Sequence, residues 1–584
     1  MASPDVRQTV SNVLVIGSGG AGARAAIAAH DAGSEVTVVG KRMQRDAHTS
    51  LAAGGINAAI ATVDQEDSWG HHFRDTWNEG YFLAHPRKVE ILAQESPDTI
   101  RELAEWGMPF ARTEDGQVDT RYFGAHTYRR TAYAGDWTGR AIVEAVHRAL
   151  DERHIAVHEQ QYVTDILVHD GTAFGALMFD LVSGERTVHL ADAVVLAGGG
   201  HTRLWRNSSS RRDENNGDAM FLAAAVGVPL KDMELVQFHP TGMTHPENMR
   251  GWLVTEAVRG EGGRLLNSEG ERFMSAYDAE RMELSTRDIV AMANYTEIQE
   301  GRGGPNGGVF LDISHLPKET IREKLPRMLR QFVEHQMLDI SQEPMEVAPT
   351  AHYSMGGVDV APEDGSTAVE GLYAAGEITA GLHGANRLGG NSLAETLVFG
   401  RRAGEAAAQR SFDLGVQLRS RATIDAALER LDGVVREGDT IVRVAQRRLR
   451  KVMWEHVGVV RDEQGLKQGI AELEQLRDVL DDLDVQPSSQ GWGDVAAALD
   501  LRGSIESALA TAIAAQARRE SRGAHTRSDH PQTDPDALYN TITTWEQRDS
   551  GPSVSTKPRP EVPEHLREWA VPADELDVED RLLE

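Results

Sequence analysis

The sequence predicts an α/β chain: a Rossmann-like dinucleotide-binding domain split by an inserted α+β capping domain, then a helical domain and an acidic C-terminal tail. Three observations carry this. The apolar run Val13-Leu-Val-Ile16 leads into Gly17-Ser18-Gly19-Gly20-Ala21-Gly22 and then into small residues from Ala23 to Ala32, the strand, turn and helix order of a pyrophosphate cradle. A second strand ending in glycines, Ala193-Val-Val-Leu-Ala197-Gly-Gly-Gly200, and a third, Gly371-Leu-Tyr-Ala-Ala-Gly376-Glu377, flank a glycine-rich stretch of loops and short helices. Beyond about residue 411, Leu466, Ile470, Leu473 and Leu480, then Ile505, Leu509 and Ile513, recur at helical steps, as amphipathic helices require. The expected bounds are 1–238 and 350–410 for the two parts of the nucleotide-binding domain, 239–349 for the capping domain, 411–525 for the helical domain and 526–584 for the extension.

At 584 residues the chain exceeds what a single core usually supports. Its 60 Lys and Arg against 90 Asp and Glu give a net charge of -30, which repels nucleic acid and anionic headgroups. An anionic substrate is repelled too, so a dicarboxylate needs a local cluster of Arg and His. There is no cysteine, which excludes disulfides, thiolate metal sites and protein-ligated iron–sulfur clusters in this chain; no metal site is expected. Asp5 and Arg7 run straight into the first strand without an apolar signal, so an intracellular protein is expected. No apolar window approaches the length of a membrane span, so membrane contact is expected only through partners.

In the fingerprint, Gly17 permits the tight turn, Gly19 lets backbone approach a pyrophosphate, and the helix opening near Gly22 offers unpaired N–H groups to its charge. The next strand, Glu35-Val-Thr-Val-Val39, ends in Gly40-Lys41-Arg42 rather than in the acid that usually grips an adenosine ribose. A basic turn of this kind suits phosphate or flavin better than a nicotinamide nucleotide. Just beyond lies Asp46-Ala-His48-Thr49-Ser50-Leu-Ala-Ala-Gly54-Gly55-Ile56.

Further segments hold residues suited to a dicarboxylate beside a redox cofactor: Gln237-Phe-His239-Pro-Thr-Gly242, Leu253-Val-Thr255-Glu256, Arg259-Gly-Glu-Gly-Gly263, Thr286-Arg287-Asp288, Thr350-Ala-His352-Tyr-Ser-Met-Gly-Gly357 and His383-Gly-Ala-Asn386-Arg387-Leu-Gly-Gly-Asn391-Ser392-Leu393. Arginine suits this task because its planar fork bonds carboxylate in a bidentate way and keeps its charge. In order and spacing, from about residue 11 to about residue 540, these segments resemble the flavoprotein subunit of succinate dehydrogenase and fumarate reductase.

The resemblance implies that the dinucleotide is FAD, covalently bonded through His48 to the flavin 8α carbon. It implies flavin contacts from Gly17, Ser18, Gly19, Gly20, Ala21, Gly22, Lys41, Arg42, Thr49, Ser50, Gly54, Gly55, Val163, Asp218, Glu377, Ser392 and Leu393, with Glu377 and Asp218 accepting from ribose and ribityl hydroxyls. It further implies that His239, Thr255, His352 and Arg387 bind the substrate carboxylates and that Arg287 shuttles the proton, relayed through Glu256 or Asp288, while hydride passes between succinate and flavin. Phe123 is expected to pack near the substrate. The implied reaction is succinate oxidation, with fumarate reduction as the alternative and L-aspartate oxidation as a remoter one that His48 opposes. A membrane anchor and an iron–sulfur subunit are the implied partners, with this chain peripheral on the cytoplasmic face of a bacterial inner membrane.

Two positions depart from the pattern: Ala53 replaces the usual Gln or Glu before the glycine pair, and Val258 the frequent cysteine. The composition after about residue 541 has no identified family counterpart and reads as a tail, disordered or wrapped on a partner. With valine at 258, activity is expected to resist thiol-alkylating reagents; an alkylation loss that succinate prevents would contradict this.

Overall fold

The computed structural model describes residues 6–571. Its largest sheet has seven strands. Arg7–Ile16 lies between Val36–Val39 and Arg186–Leu196, all parallel, with Ala156–His158 outside the first neighbour and Leu372–Ala374 parallel to the second. An antiparallel pair, Gln161–His169 and Thr172–Asp180, completes it. The three strands expected to meet at the dinucleotide therefore do so: Ile16 is opposite Val39 on one side and Leu196 on the other.

Small residues let the helices close on this sheet. A Cβ at Gly22 would stand 1.8 Å from the carbonyl oxygen of Gly17, so only glycine lets helix Gly20–Asp31 lie under the turn. Helix Asn391–Asp413 crosses it just as closely, since a Cβ at Gly404 would meet the Ala25 carbonyl oxygen at 2.1 Å.

The insert is a four-stranded antiparallel sheet in the order Val236–Met243, Met345–Ser354, Val309–Asp312 and Arg264–Leu266. It has its own core, including Val254, Val309, Phe332 and Val347. The two strands that carry the chain into and out of the insert are paired with each other, so the border with the nucleotide-binding domain is a single ladder. Its register skips one residue: Gln237 is opposite Tyr353 while Phe238 is opposite Ala351, which leaves His352 as the extra residue of a bulge. Bulges re-aim side chains in this way.

Helices Arg421–Asp432, Val442–His456, Glu463–Asp478 and Gly493–Ala517 follow. Leu466 and Leu473 are buried and Ile470 and Leu480 pack partly against them, one face as expected. The last helix departs from the amphipathic expectation. Ile505 and Leu509 are buried, but so are Ser504, Glu506, Ser507 and Thr511, while Ile513 is only half-buried. The helix is enclosed on several sides because it backs the nucleotide site: Ser504 and Ser507 donate to the carbonyls of Asn216 and Gly217, both at 2.9 Å.

The C-terminal segment also corrects the sequence reading. Tyr539–Thr544 and Ser553–Pro558 form a hairpin that extends the short strands Leu230–Lys231 and Gly357–Val358. The chain then crosses the nucleotide-binding domain, where Leu566 is fully buried and Trp569 packs against Trp69 and His71 at ring distances of 6.1 and 5.4 Å. Up to residue 571 the segment is thus wrapped on its own chain; the remainder of the expected tail lies outside the described residues. Among the described residues, no helix is long and apolar enough to cross a membrane. Leu566→Ala is expected to cost about 2–5 kcal/mol and to lower the thermal unfolding midpoint; an unchanged midpoint would show that this crossing contributes no packing.

Candidate active site

A cavity of about 450 Å³ runs from the glycine fingerprint to the inner edge of the capping sheet. Every residue expected to hold flavin or substrate lines it, except Gly22 and Ser50. Gly22 lies beneath the turn, and Ser50 Oγ is 3.5 Å from Arg211 Nη2 at the back of the His48 turn.

The nucleotide end is built from backbone. Gly17 has φ +114° and sits where a Cβ would be 2.1 Å from the carbonyl oxygen of Ala197. Thr49 Oγ1 accepts from the backbone N–H of Gly20 at 3.0 Å, which ties the His48 turn to the fingerprint. Gly54 is braced by Phe123, whose ring would be 3.0 Å from a Cβ there. Phe123 therefore supports the glycine pair as well as lining the cavity. Bare backbone at Gly17, Gly19, Gly20, Gly54 and Gly55, the adjoining helix N-terminus and a cavity that reaches from them to the capping sheet fit FAD.

Lys41 has carboxylate partners that its local sequence does not show. Its Nζ is paired with Asp218 at 2.9 Å and with Asp500 at 3.0 Å; burial disfavours its charge, but the two carboxylates more than offset this and raise its pKa. Lys41 and Asp218 both line the cavity, and the ion pair takes one oxygen of Asp218, Oδ2. Asp500, on the buried last helix and also bonded by Tyr162 Oη at 2.9 Å, escapes a reading of the sequence because its partner is 459 residues away.

His48 sits on a single 3-10 turn, His48–Leu51. Its Nδ1 is 2.9 Å from Oε1 of Glu214. Burial works against a charged imidazole, but the Glu214 carboxylate outweighs it and holds the His48 pKa above its ordinary value. Burial alone would raise Glu214; His48 instead draws it down to about 2.

At the capping end, the bulged ladder sets His239 and His352 with ring centroids 5.2 Å apart. His239 Nδ1 lies 3.2 Å from the Thr241 backbone N–H and 3.3 Å from the Thr241 carbonyl oxygen, so the backbone of Thr241 holds the ring by this nitrogen. Burial, followed by Arg287, keeps His239 neutral; burial, followed by His239, does the same for His352. Arg287, at the start of helix Arg287–Gln299, donates from Nε to Glu256 at 2.8 Å and from Nη1 to Gln237 Oε1 at 3.0 Å. Arg387 donates from Nη2 to the same Gln237 oxygen at 3.0 Å and from Nη1 to Ser392 Oγ at 3.1 Å. Its Nε is buried without a partner among the described residues. Burial and the neighbouring Arg287 lower its pKa to about 9, which leaves it charged at neutral pH.

Of the two carboxylates expected to relay the proton, Glu256 bonds Arg287, and no bond from Arg287 to Asp288 is found among the described residues. Asp288 instead accepts from Tyr81 Oη at 2.6 Å and from Asn386 Nδ2 at 2.9 Å. Arg259 Nη2, fully buried, stands 3.7 Å from Oε2 of Glu256, the same oxygen that Arg287 bonds. Arg259 and Gln237 lie in motifs visible in the sequence, but only the structure gives each a role. Thr255 is buried at the cavity edge in the turn before Glu256.

The dinucleotide cradle and the adjoining cationic pocket define a flavin-dependent oxidoreductase. A family model described as "FAD binding domain" matches residues 12–393, and one described as "Fumarate reductase flavoprotein C-term" matches residues 446–570; the second shows that the segment after residue 541 does have a family counterpart. The chain is 46% identical over 526 residues to a subunit of the fumarate reductase (CoM/CoB) of Methanothermobacter marburgensis, covering 90% of this chain and 95% of that protein. It is 34% identical to the succinate dehydrogenase flavoprotein subunit of Rickettsia felis, covering 92% and 93%. Among solved structures, Mycobacterium smegmatis Sdh1 in complex with UQ1 superposes with a TM-score of 0.88 at 38% identity, covering 96% of both chains. FrdA of Escherichia coli quinol fumarate reductase gives 0.90 at 33%, covering 95% and 97%. The chain belongs to the flavoprotein subunits of the succinate dehydrogenase and fumarate reductase family, and its cofactor is FAD.

Gly17→Ala is expected to abolish FAD retention, since the added methyl meets the Ala197 carbonyl in a backbone conformation that L residues rarely adopt. Flavin absorbance of the purified, folded variant reads this; a full complement of FAD would contradict the assigned cradle.

Proposed function

We propose that this chain is the catalytic flavoprotein subunit of a fumarate reductase, interconverting fumarate and succinate beside FAD attached at His48. The observation that carries this reading is the convergence of Arg287, Arg387, His239, His352 and Thr255 on one end of the flavin cavity. The 46% identity to a protein named fumarate reductase favours reduction over the succinate oxidation that the motifs alone bring forward.

Bound FAD supplies the hydride. The chain's own residues do the rest. Arg387 and the two neutral histidines clamp the carboxylates, so the double bond is fixed in one orientation, and orientation supplies much of the rate. With its proton on Nε2, the neutral His239 ring donates to one carboxylate oxygen. Arg287 delivers the proton to the carbon next to the one receiving hydride. Its Nε and Nη2 are 2.8 and 2.7 Å from Glu256 Oε2, so the guanidinium is recharged through Glu256 without swinging out of the site. Arg259, 3.7 Å from the same oxygen, helps hold that carboxylate in its charged form; with Arg287 it overcomes burial and lowers the Glu256 pKa to about 2.

A chain without cysteine holds no cluster of its own, so electrons arrive from a partner. An iron–sulfur subunit is that partner in the proposed complex, with a membrane-anchor subunit beyond it. The chain then meets the cytoplasmic face of the membrane only through them.

Fumarate reduction by reduced viologen tests the reading. FAD-replete protein that neither consumes viologen with fumarate nor reduces a dye with succinate would overturn it. Arg287→Gln is expected to retain FAD and lose about 10²–10⁴-fold in turnover; near-normal turnover would remove Arg287 from the proton path.

A further inference from the structure

Glu214 has no place in the proposed fumarate chemistry, yet it makes the closest polar contact to His48. Its carboxylate is 93% buried as a side chain, given 7% relative exposure, and lies 2.9 Å from His48 Nδ1. The same Oε1 accepts from the backbone N–H of Arg211 at 2.7 Å, which fixes the rotamer. The other oxygen, Oε2, has no hydrogen-bond partner among the described residues, and the guanidiniums of Arg42 and Arg211 stand off at 3.9 Å. This is a buried carboxylate placed for one ring nitrogen.

We propose that Glu214 is the positioning residue for covalent attachment of FAD at His48: it holds the Nδ1 proton and thereby presents the Nε2 lone pair to the flavin 8α carbon. The inference rests on the reading that His48 is the attachment point. An ionised carboxylate only accepts, so Nδ1 must carry the hydrogen. In the neutral imidazole Nε2 is then the nucleophile, and it has no partner among the described residues. His48 stands on one short turn, and Glu214 is the hydrogen-bond partner that orients its ring. The carboxylate also stabilises the imidazolium that forms as Nε2 attacks, as a carboxylate behind a catalytic histidine does.

The step balances. A C–N bond forms between Nε2 and the 8α carbon as one methyl C–H bond breaks. The methyl proton and the Nδ1 proton are released, and two electrons enter the flavin. Fumarate, the substrate of the proposed reaction, takes up those two electrons and two protons and becomes succinate.

The test follows attachment separately from binding. Wild type, Glu214→Gln, Glu214→Ala and His48→Ala are produced in riboflavin-starved cells, then incubated with FAD and fumarate. Acid-stable flavin is followed by intact mass and in-gel fluorescence, and total bound FAD by absorbance. Glu214→Ala is expected to bind FAD noncovalently and to attach it at least tenfold more slowly; Glu214→Gln, whose amide oxygen still accepts from Nδ1, falls between. His48→Ala attaches none. Wild-type attachment rates in both Glu214 variants would overturn the role of Glu214 while leaving His48 in place. Acid-labile flavin in the wild type would overturn the His48 attachment and this inference with it. If Glu214→Ala does not retain FAD, Glu214→Gln alone decides.

Discussion

Two guanidiniums, Arg287 and Arg387, are buried side by side, and a single amide oxygen, Oε1 of Gln237, accepts from both at 3.0 Å. Like charges in a water-poor site repel strongly, so this bridge is the constraint on which the pocket depends. Gln237 cannot turn away, because its own amide N–H groups donate to Asn386 Oδ1 at 2.8 Å and to the Arg387 carbonyl at 2.9 Å. Asn386 in turn donates to Glu79 and Asp288. The network spans the border: Gln237 comes from the first strand of the insert, Arg387 from the loop before helix Asn391–Asp413, and Glu79 from the end of helix Trp69–Glu79. Such networks fix one arrangement only when every member is satisfied. Arg387 Nε, buried without a partner among the described residues, is the exception on the Arg387 side.

The cofactor end rests on a different principle. There the protein removes side chains rather than placing them, so that backbone lies close to backbone at Gly17, Gly22 and Gly404. Lys41 at this end is ion-paired with Asp218 and Asp500, and the helix terminus is left to meet the pyrophosphate. The result is a rigid floor against which the capping ladder positions its histidines.

How much of this is legible in the sequence depends on the distance between partners. The fingerprint and the His48, His239, Arg287 and Arg387 motifs are local patterns, and all of them reach one cavity. Glu214 and Asp500 are not local: their partners are 166 and 459 residues away, with no spacing that announces them. The bulge that frees His352 depends on the register between strands more than a hundred residues apart, which no single strand encodes. The C-terminal hairpin reads as a tail because proline and acid mark one by composition, whereas Tyr539–Thr544 and Ser553–Pro558 are held by pairing. Helix Gly493–Ala517 reads as amphipathic because its serines and Asp500 look solvent-facing until Asn216, Gly217 and Lys41 are placed against them.

The charge of the pocket follows from these placements and runs against that of the chain. Overall the protein carries -30, yet the capping end holds three arginines, Arg259, Arg287 and Arg387, with one carboxylate, Glu256, among them. Burial keeps His239 and His352 neutral. Arg287 and Arg387 line the cavity with Glu256, whereas Arg259 does not, and Glu79 and Asp288 lie beyond Asn386. Two fixed guanidiniums at the cavity wall offer an anion the charge-assisted bonds that the rest of the field opposes, so the local charge depends on the Gln237 bridge that holds those two arginines together.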